Sequence, residues 1–264
     1  MATLGSQAVG SIVKLNVNGT AWNWIVVHQG LPGSNYDASC DGTWLLMQDI
    51  YENQEFDSQD NDYENSDIHS YLSNTFVNLF DGDIKSVIEQ VKLPYTKGTG
   101  QAGSLATGSN GLSATVFLLS YTEVGLSGGK ANREGYVLSY FEGAEDSKRV
   151  AMFNGSRTMW NLRSPSTITS ARGYAWCVET NGSADAYRVR DPHGVRPALV
   201  LPSELSVESD GSVTLASGAI TGDVNIGGVQ RELTGKGYIN IGGVLRELTD
   251  SNVNIGGILE SLKG

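Results

Sequence analysis

The residues best suited to chemistry in this 264-residue chain are few and scattered. Cys40 and Cys177 are too few for a disulfide scaffold, and each reads as a small buried apolar residue. A reactive thiolate needs an electropositive, partly open site. Cys177 instead stands between Trp176 and Val178 in a strand pattern whose alternation turns it toward a core. His28, His69 and His193 form no HExxH or Cys/His cluster, so no zinc site is expected. His69 falls one residue off the apolar stripe of a helix and is expected at the surface. The acidic run DSQDNDYENSD (57–67) offers oxygens to a hard cation, but it lacks the sharp-turn glycine and closing glutamate of a calcium loop. It reads as a solvated loop entering a capped helix. The glycine-rich GLSGG and GTGQAG do not lie between a strand and a helix, there is no GxxxxGK[ST], and Ser120 and Ser164 lack a GxSxG context. No catalytic residue, metal or cofactor is nominated, and the chain is expected not to be an enzyme.

The chemistry that remains is recognition. RGYAWCVETNGSADAYRVRDPHGVRPAL (172–199) frames an irregular, mixed-charge middle between two orderly apolar ends. Its tyrosines offer rigid amphipathic area, and its Arg, Asp, Asn and Ser side chains offer adaptable hydrogen bonds, the composition of a protein-binding face. Arg163 and Arg196 lie within the apolar stretches MWNLRSP and GVRPAL. A buried guanidinium is costly unless paired or bonded to carbonyls, so both are expected to pin loops through backbone carbonyls or carboxylates.

The elements that must hold this segment follow from pattern. SIVKLNVNGTAWNWIVVHQG reads as an opening β-hairpin turning at Asn18-Gly19, and GTWLLMQDIY as a third, mostly buried strand. Ser66 is a good N-cap with Asp67 in the first turn, and Ile68, Tyr71, Leu72, Phe76, Leu79 and Phe80 keep helical spacing. A second helix fits GDIKSVIEQVKL, so that two helices span 66–93, stopped by Pro94. TKGTGQAGSLATGSNG reads as a flexible loop, ATVFLLSYTEVG as a buried strand, and REGYVLSYFEG as a short helix or strand. Residues 160–201 read as short strands and loops, and LSVESDGSVTLASG as a hairpin turning at Asp210-Gly211. VNIGGVQREL, INIGGVLREL and VNIGGILESL then repeat from Val224, Ile239 and Val253, each with a Gly-Gly pair suited to a two-residue hairpin loop. Residues 1–219 are therefore expected to form one α+β domain and 220–264 a β-hairpin repeat appendage.

Hydrophobic content of 39% supports a core, and the net charge is −11. Leu15 to Ile84 holds twelve Asp/Glu and no Lys or Arg. Without a basic face neither nucleic acid nor an anionic membrane is expected as a partner. No stretch reaches the ~20 apolar residues of a membrane span, and no signal peptide is expected.

Taken together in this order, FLLSYTEVG, NGSRTMWNLRSP, AWCV…NG and GVRPALVL resemble a domain of phages and gut Firmicutes related to the C-type-lectin and formylglycine-generating-enzyme fold, over roughly residues 10–215. The resemblance implies a small twisted sheet, two helices and a long irregular region that presents ligand-binding side chains. Some members of this superfamily are variable proteins of diversity-generating retroelements, in which adenine-derived codons are rewritten. Apart from Trp176 and Glu179, every residue of 166–193 is one that such a rewritten codon encodes. The repeats resemble NIGGV repeats of phage tail and minor structural proteins. The implied function is a tail-associated adhesin, assembled in the host cytoplasm, that binds a bacterial surface protein or glycan. Its variable surface would comprise Asn161, Ser166, Thr167, Ile168, Ser170, Arg172, Tyr174, Glu179, Asn181, Ser183, Asp185, Tyr187, Arg188, Arg190, Asp191 and His193. Residues 220–264 would meet other tail proteins, with a homo-oligomer also allowed. The calcium-sugar triplets EPN, QPD and WND are missing. The alternatives are a cysteine-dependent enzyme of the formylglycine-generating kind, acting through Cys177, and a purely structural virion protein.

Overall fold

Asn18 and Gly19 both take positive φ, 51° and 71°, and close the expected hairpin between β1 (Ile12–Val17) and β2 (Thr20–Gly30). The computed structural model describes residues 2–98, 102–127, 133–143, 145–166 and 173–215, together with the backbone of paired strands between Ile220 and Glu260. These fall into two compact units, Met1–Val213 and Thr214–Gly264. The fold is mixed α+β, mostly strands, with two helices and long loops.

The first unit is built on two five-stranded sheets. The chain continues through β3 (Gly42–Met47), β4 (Glu52–Gln54), helices α1 (Asp67–Asn74) and α2 (Gly82–Val87), and β5 (Val116–Phe117). It ends with β6 (Trp160–Pro165), β7 (Tyr174–Val178), β8 (Ala184–Arg188), β9 (His193–Val195) and β10 (Ala198–Leu201). The first sheet runs β5-β10-β3-β2-β1 and is antiparallel throughout. The second runs β8-β7-β6-β9-β4, with β6 and β9 parallel. Trp44, Leu46, Ile25, Val27, Ala198 and Val200 from the first sheet share one apolar core with Trp160, Leu162, Trp176 and Val178 from the second. All six residues of β3 are buried, because that strand is covered on both faces. On the side away from the shared core, Trp24 packs on Phe80 at 5.8 Å, and Phe76 on Phe80 at 5.6 Å.

Several segments depart from their pattern. Ser66 caps α1 as expected, its Oγ accepting the His69 N–H at 3.2 Å. The helix stops at Asn74, six residues before the end of the apolar stripe, and Phe76–Leu79 is a tighter single turn. Phe80 is drawn instead into a β-bridge with Val17. The second helix ends at Val87, since Val91–Leu93 pairs with Leu112–Ala114 as a strand and Pro94 disfavours helix in the residue before it. The glycine-rich segment is not a loop throughout, because Tyr95–Gly98 pairs with Ala102–Ala106. The stretch from Leu118 to Tyr121 is buried as expected, but it leaves the ladder after Phe117 and three of its N–H groups go to side chains. Leu118 donates to the Tyr63 hydroxyl, Ser120 to Glu123 and Tyr121 to Ser164. In REGYVLSYFEG only Ser139–Phe141 is regular, as a single tight turn.

Those side chains converge on a buried ion pair. The Arg163 guanidinium donates to both oxygens of Glu123, at 2.5 and 2.6 Å, with both residues fully buried. Its two terminal nitrogens also reach the Leu118 carbonyl at 2.9 Å and the Pro94 carbonyl at 3.3 Å. Tyr36 donates its hydroxyl to Glu123 at 2.9 Å. A second buried carboxylate, Glu134, accepts the Thr96 N–H at 2.7 Å and the Ser164 hydroxyl. Burial pushes the Glu134 carboxyl from 4.5 up to about 7, and the attraction of Arg163 only partly offsets it.

Two outcomes follow. Removing one member of a buried pair strands the other's charge, so Arg163→Met lowers stability by about 3–5 kcal/mol, read as a shift in denaturant midpoint. Glu134 keeps its proton in the folded state where the unfolded chain has released it, so this group's contribution is complete below about pH 4.5 and is lost as pH rises through about 7. Urea titrations at pH 4.5 and 8 should show the wild-type chain losing stability relative to Glu134→Gln. An unchanging difference between the two would remove Glu134 as the cause.

Candidate functional site

The segment singled out by its composition folds as the hairpin β7–β8 and the turn that follows it. Tyr174 pairs with Arg188, Ala175 with Tyr187, Trp176 with Ala186, Cys177 with Asp185 and Val178 with Ala184. Trp176 and Val178 enter the core, Trp176 lying 4.6 Å from the Tyr121 ring. β8 is an edge strand of the second sheet, so its outer side meets no further strand among the described residues.

The turn is held by close backbone approach. Gly182 has φ 91°, and a Cβ there would collide with the Asp146 carbonyl. The buried Arg149 donates its Nε–H to the Gly182 carbonyl at 2.7 Å and pairs with Asp146. Glu179 organises the open side. It accepts the Ser183 hydroxyl at 2.5 Å on one oxygen and the Tyr187 hydroxyl at 2.6 Å on the other. These two bonds, that from Ser183 first, hold the Glu179 carboxyl below its usual range, and the same bond pushes the Tyr187 phenol up to about 12.

The acidic stretch before α1 supports the hairpin from the other side. Asn61 donates to the Tyr174 carbonyl at 2.7 Å, Phe56 donates its N–H to the Val189 carbonyl at 2.9 Å, and Arg190 donates to the Ser58 carbonyl at 2.6 Å. It is therefore solvated only in part, with Ser58, Gln59, Glu64, Asn65 and Asp67 exposed. Asp57, Asn61 and Asp62 are buried, Asp57 accepts the N–H groups of Gln59, Asp60 and Asp67, and Asp62 accepts the Tyr95 hydroxyl. His69 is likewise half-buried against Tyr63, with ring centroids 4.8 Å apart, rather than at the surface.

Of the sixteen expected surface residues, nine stand open or half-open on one hairpin and its turn. Asn181, Asp185, Arg188, Arg190 and Asp191 are exposed, while Tyr174, Glu179, Ser183 and Tyr187 are half-buried. Three are not on a surface. Asn161 is buried, donating to the His193 carbonyl and accepting the Cys177 thiol at 3.3 Å. Ser166 is buried, its N–H donating to the Tyr174 carbonyl at 3.0 Å. His193 is buried in β9 with its ring 5.2 Å from that of Tyr187, and desolvation lowers its pKa. A strand position in mid-sheet overrides the polarity of Asn161 and His193, and Ser166 is buried where the chain leaves β6, its carbonyl accepting from Asn61. Thr167, Ile168, Ser170 and Arg172 lie outside the described residues.

Both cysteines are free and buried. Burial raises the Cys40 thiol to about 12 and the Cys177 thiol further still, which disfavours the thiolate at either position. Among the described residues no group of His, Cys, Asp and Glu is arranged to hold a metal ion. What pattern reading missed were the residues that position the hairpin: Arg149, Asn61, Glu123 and Glu134. Glu123 had a visible signal, a single carboxylate inside the apolar run FLLSYTEVG that a nearby buried arginine requires.

No curated protein and no solved structure matches the chain. A family model described as a domain of unknown function, DUF6273, matches residues 41–203. That span covers β3 to β10, both helices, the buried Arg149, Arg163 and Arg196 and the whole open hairpin, more than half of the sequence. The chain belongs to the DUF6273 family.

Proposed function

We propose that this protein is a phage tail-associated receptor-binding protein. In this reading it presents the β7–β8 hairpin and the following turn to a protein or glycan on a bacterial cell surface, from a scaffold of the C-type-lectin and formylglycine-generating-enzyme kind. The observation that carries the proposal is the division of labour within one hairpin. Ala175 to Val178 are buried in succession, while the neighbouring edge strand and turn leave Asn181, Asp185, Arg188, Arg190 and Asp191 open beside two half-buried tyrosines. Loops and edges mounted on a packed core change sequence without unfolding it. Glu179 fixes Tyr187 before any ligand arrives, which reduces the ordering cost of binding. Retroelement diversification of 166–193 is part of the same proposal. It would act through the open positions, with Trp176, Cys177, Val178 and His193 as scaffold.

Among the described residues no helix is long and apolar enough to cross a membrane. A tail location and contacts of residues 220–264 with other tail proteins belong to the proposal.

Tyr187→Ala and Arg188→Ala should each weaken adsorption of the labelled protein to a sensitive gut Firmicutes isolate by about 1–3 kcal/mol, with the melting temperature unchanged in the Arg188 variant. Exchanging residues 166–193 for those of a sibling chain should redirect adsorption. Undiminished binding to the original host after that exchange would sink the proposal. The cysteine-enzyme reading is tested separately. Both thiols should resist a thiol-modifying reagent in native buffer and react after denaturation, and Cys177→Ser should leave adsorption intact.

A further inference from the structure

A buried histidine touches a half-open residue of the hairpin. His193 begins β9, which runs between β6 and β4, and it is only 8% exposed. Its ring centroid stands 5.2 Å from that of Tyr187, with the rings inclined at 71°. The two residues are not on neighbouring strands, because β7 and β6 separate β8 from β9 in the sheet. Tyr187 therefore leans across the sheet to make the contact. It does so on the face away from the shared core, since Ala184 and Ala186 of the same strand pack against that core and alternation turns Tyr187 the other way. Two groups then hold the tyrosine: Glu179 at its hydroxyl, 2.6 Å away, and the imidazole at its ring.

The backbone of His193 is fixed by pairing with Gln54 and by the Asn161 amide, which donates to its carbonyl at 3.4 Å. What can change is the charge of the ring. Its Nε2 is buried and has no hydrogen-bond partner among the described residues. With the ring proton on Nδ1, Nε2 is only an unfilled acceptor. A second proton makes it a buried cationic donor with nothing to accept from it, and an unpaired charged donor costs more than a neutral one. Two attractions oppose this: the Asp191 carboxylate in the turn, and the weaker pull of the Tyr187 ring on a cation. The other charges on the packed elements have partners of their own. Glu179 accepts from Ser183 and Tyr187, and Asp185 from the Ala186 N–H at 2.7 Å. Arg188 donates to the Tyr174 hydroxyl at 3.4 Å, and Arg190 to the Ser58 carbonyl. On β4, Glu52 accepts from the Gln54 amide at 2.9 Å, and on β6 Arg163 is paired with Glu123. Desolvation outweighs the pull of Asp191 and lowers the His193 pKa.

We propose that His193 is a positioning residue for Tyr187 and makes the hairpin acid-sensitive: the neutral imidazole supports the tyrosine ring, and the imidazolium leaves its buried seat and releases it. The proposal rests on the adhesin reading for what the hairpin recognises, and not for the coupling of the two rings. Because the folded-state pKa lies below 6.5, the support is complete above pH 6.5 and is lost as pH falls through the folded value. His28 and His69 are shifted in the same direction, but their partners, Ser139 and Tyr63, lie outside the hairpin.

The test is an NMR titration of the full-length chain from about pH 8 to pH 5, with isotope-labelled histidine and tyrosine rings and no ligand present. The chain has three histidines, and each ring signal is assigned through the bonds to its own backbone, so the wild-type protein decides even where a variant fails to fold. The His193 signal should titrate with a midpoint below 6.5, and the Tyr187 ring signals should shift with that same midpoint. In His193→Gln, which keeps a planar polar group without the charge, the Tyr187 signals should stay constant over the range. A His193 midpoint at or above 6.5, or Tyr187 signals that do not follow it, would overturn the proposal. So would a Tyr187 shift of the same size in His193→Gln. Failure of the adhesin reading shows in adsorption and leaves these signals as they are.

Discussion

The first unit depends on one buried charge pair. Arg163 and Glu123 meet in a two-pronged bond with no exposure to water, and the pair gathers parts of the chain that no ladder connects. Pro94 and Leu118 are tied through their carbonyls, Tyr36 through its hydroxyl, and Glu134 lies close by on Ser164 and Thr96. In a low-dielectric interior an unpaired ion costs several kcal/mol, so each of these ties is enforced by the penalty for leaving it unmade. The irregular stretch from Leu118 to Glu123 therefore keeps a definite path without regular secondary structure. The Nε of Arg163 has no hydrogen-bond partner among the described residues, so even this network is not complete.

Arg196 solves a similar problem by a different route. Among the described residues it forms no ion pair within contact distance; it donates to the carbonyls of Met47, Gln48 and Arg149 and lies over the Trp160 ring at 4.9 Å. Carbonyl dipoles and a π face stabilise the cation less than a carboxylate does, and desolvation accordingly lowers the Arg196 pKa to about 10. The two arginines flank the hairpin in sequence. One fixes the loops behind β6, and the other fixes the end of β3 on which β10 is paired. The open hairpin then needs little intrinsic order of its own.

How much of this was legible follows from the range of the interactions. The Asn18-Gly19 turn and the Ser66 cap are local events, decided by φ angles and one side chain, and both stand as read. The buried roles of Arg163 and Arg196 were also visible, because a cation in an apolar run has few other fates. Helix lengths were not visible. The stripe from Ile68 to Phe80 is equally satisfied by a shorter helix followed by a turn, and the choice was made by Val17, half a hundred residues and more away. The acidic 57–67 was misjudged because polar groups within it are used internally by partners distant in sequence, and the glycine-rich 96–111 because its local ladder, Tyr95–Gly98 with Ala102–Ala106, has no apolar alternation to announce it. Asn61 reaches Tyr174, and Thr96 reaches Glu134. Of the recognition surface, the exposed side of β8 was legible from its mixture of residue types. The burial of Asn161, Ser166 and His193 was not, because it depends on which strands lie beside them.

The contact between Gly182 and the Asp146 carbonyl sets a boundary on how freely this surface can change. Asn181 and Ser183, on either side of it, face solvent in whole or in part, yet the residue between them has neither room for a side chain nor the backbone conformation to carry one. Any process that alters the hairpin without regard to position, natural or in the laboratory, spends its changes unequally. At the flanking residues it produces new surfaces, whereas at Gly182 it produces chains whose turn no longer seats on Arg149. The number of usable surfaces is thus set by the few fixed contacts that every member must keep, and not by the count of open positions alone.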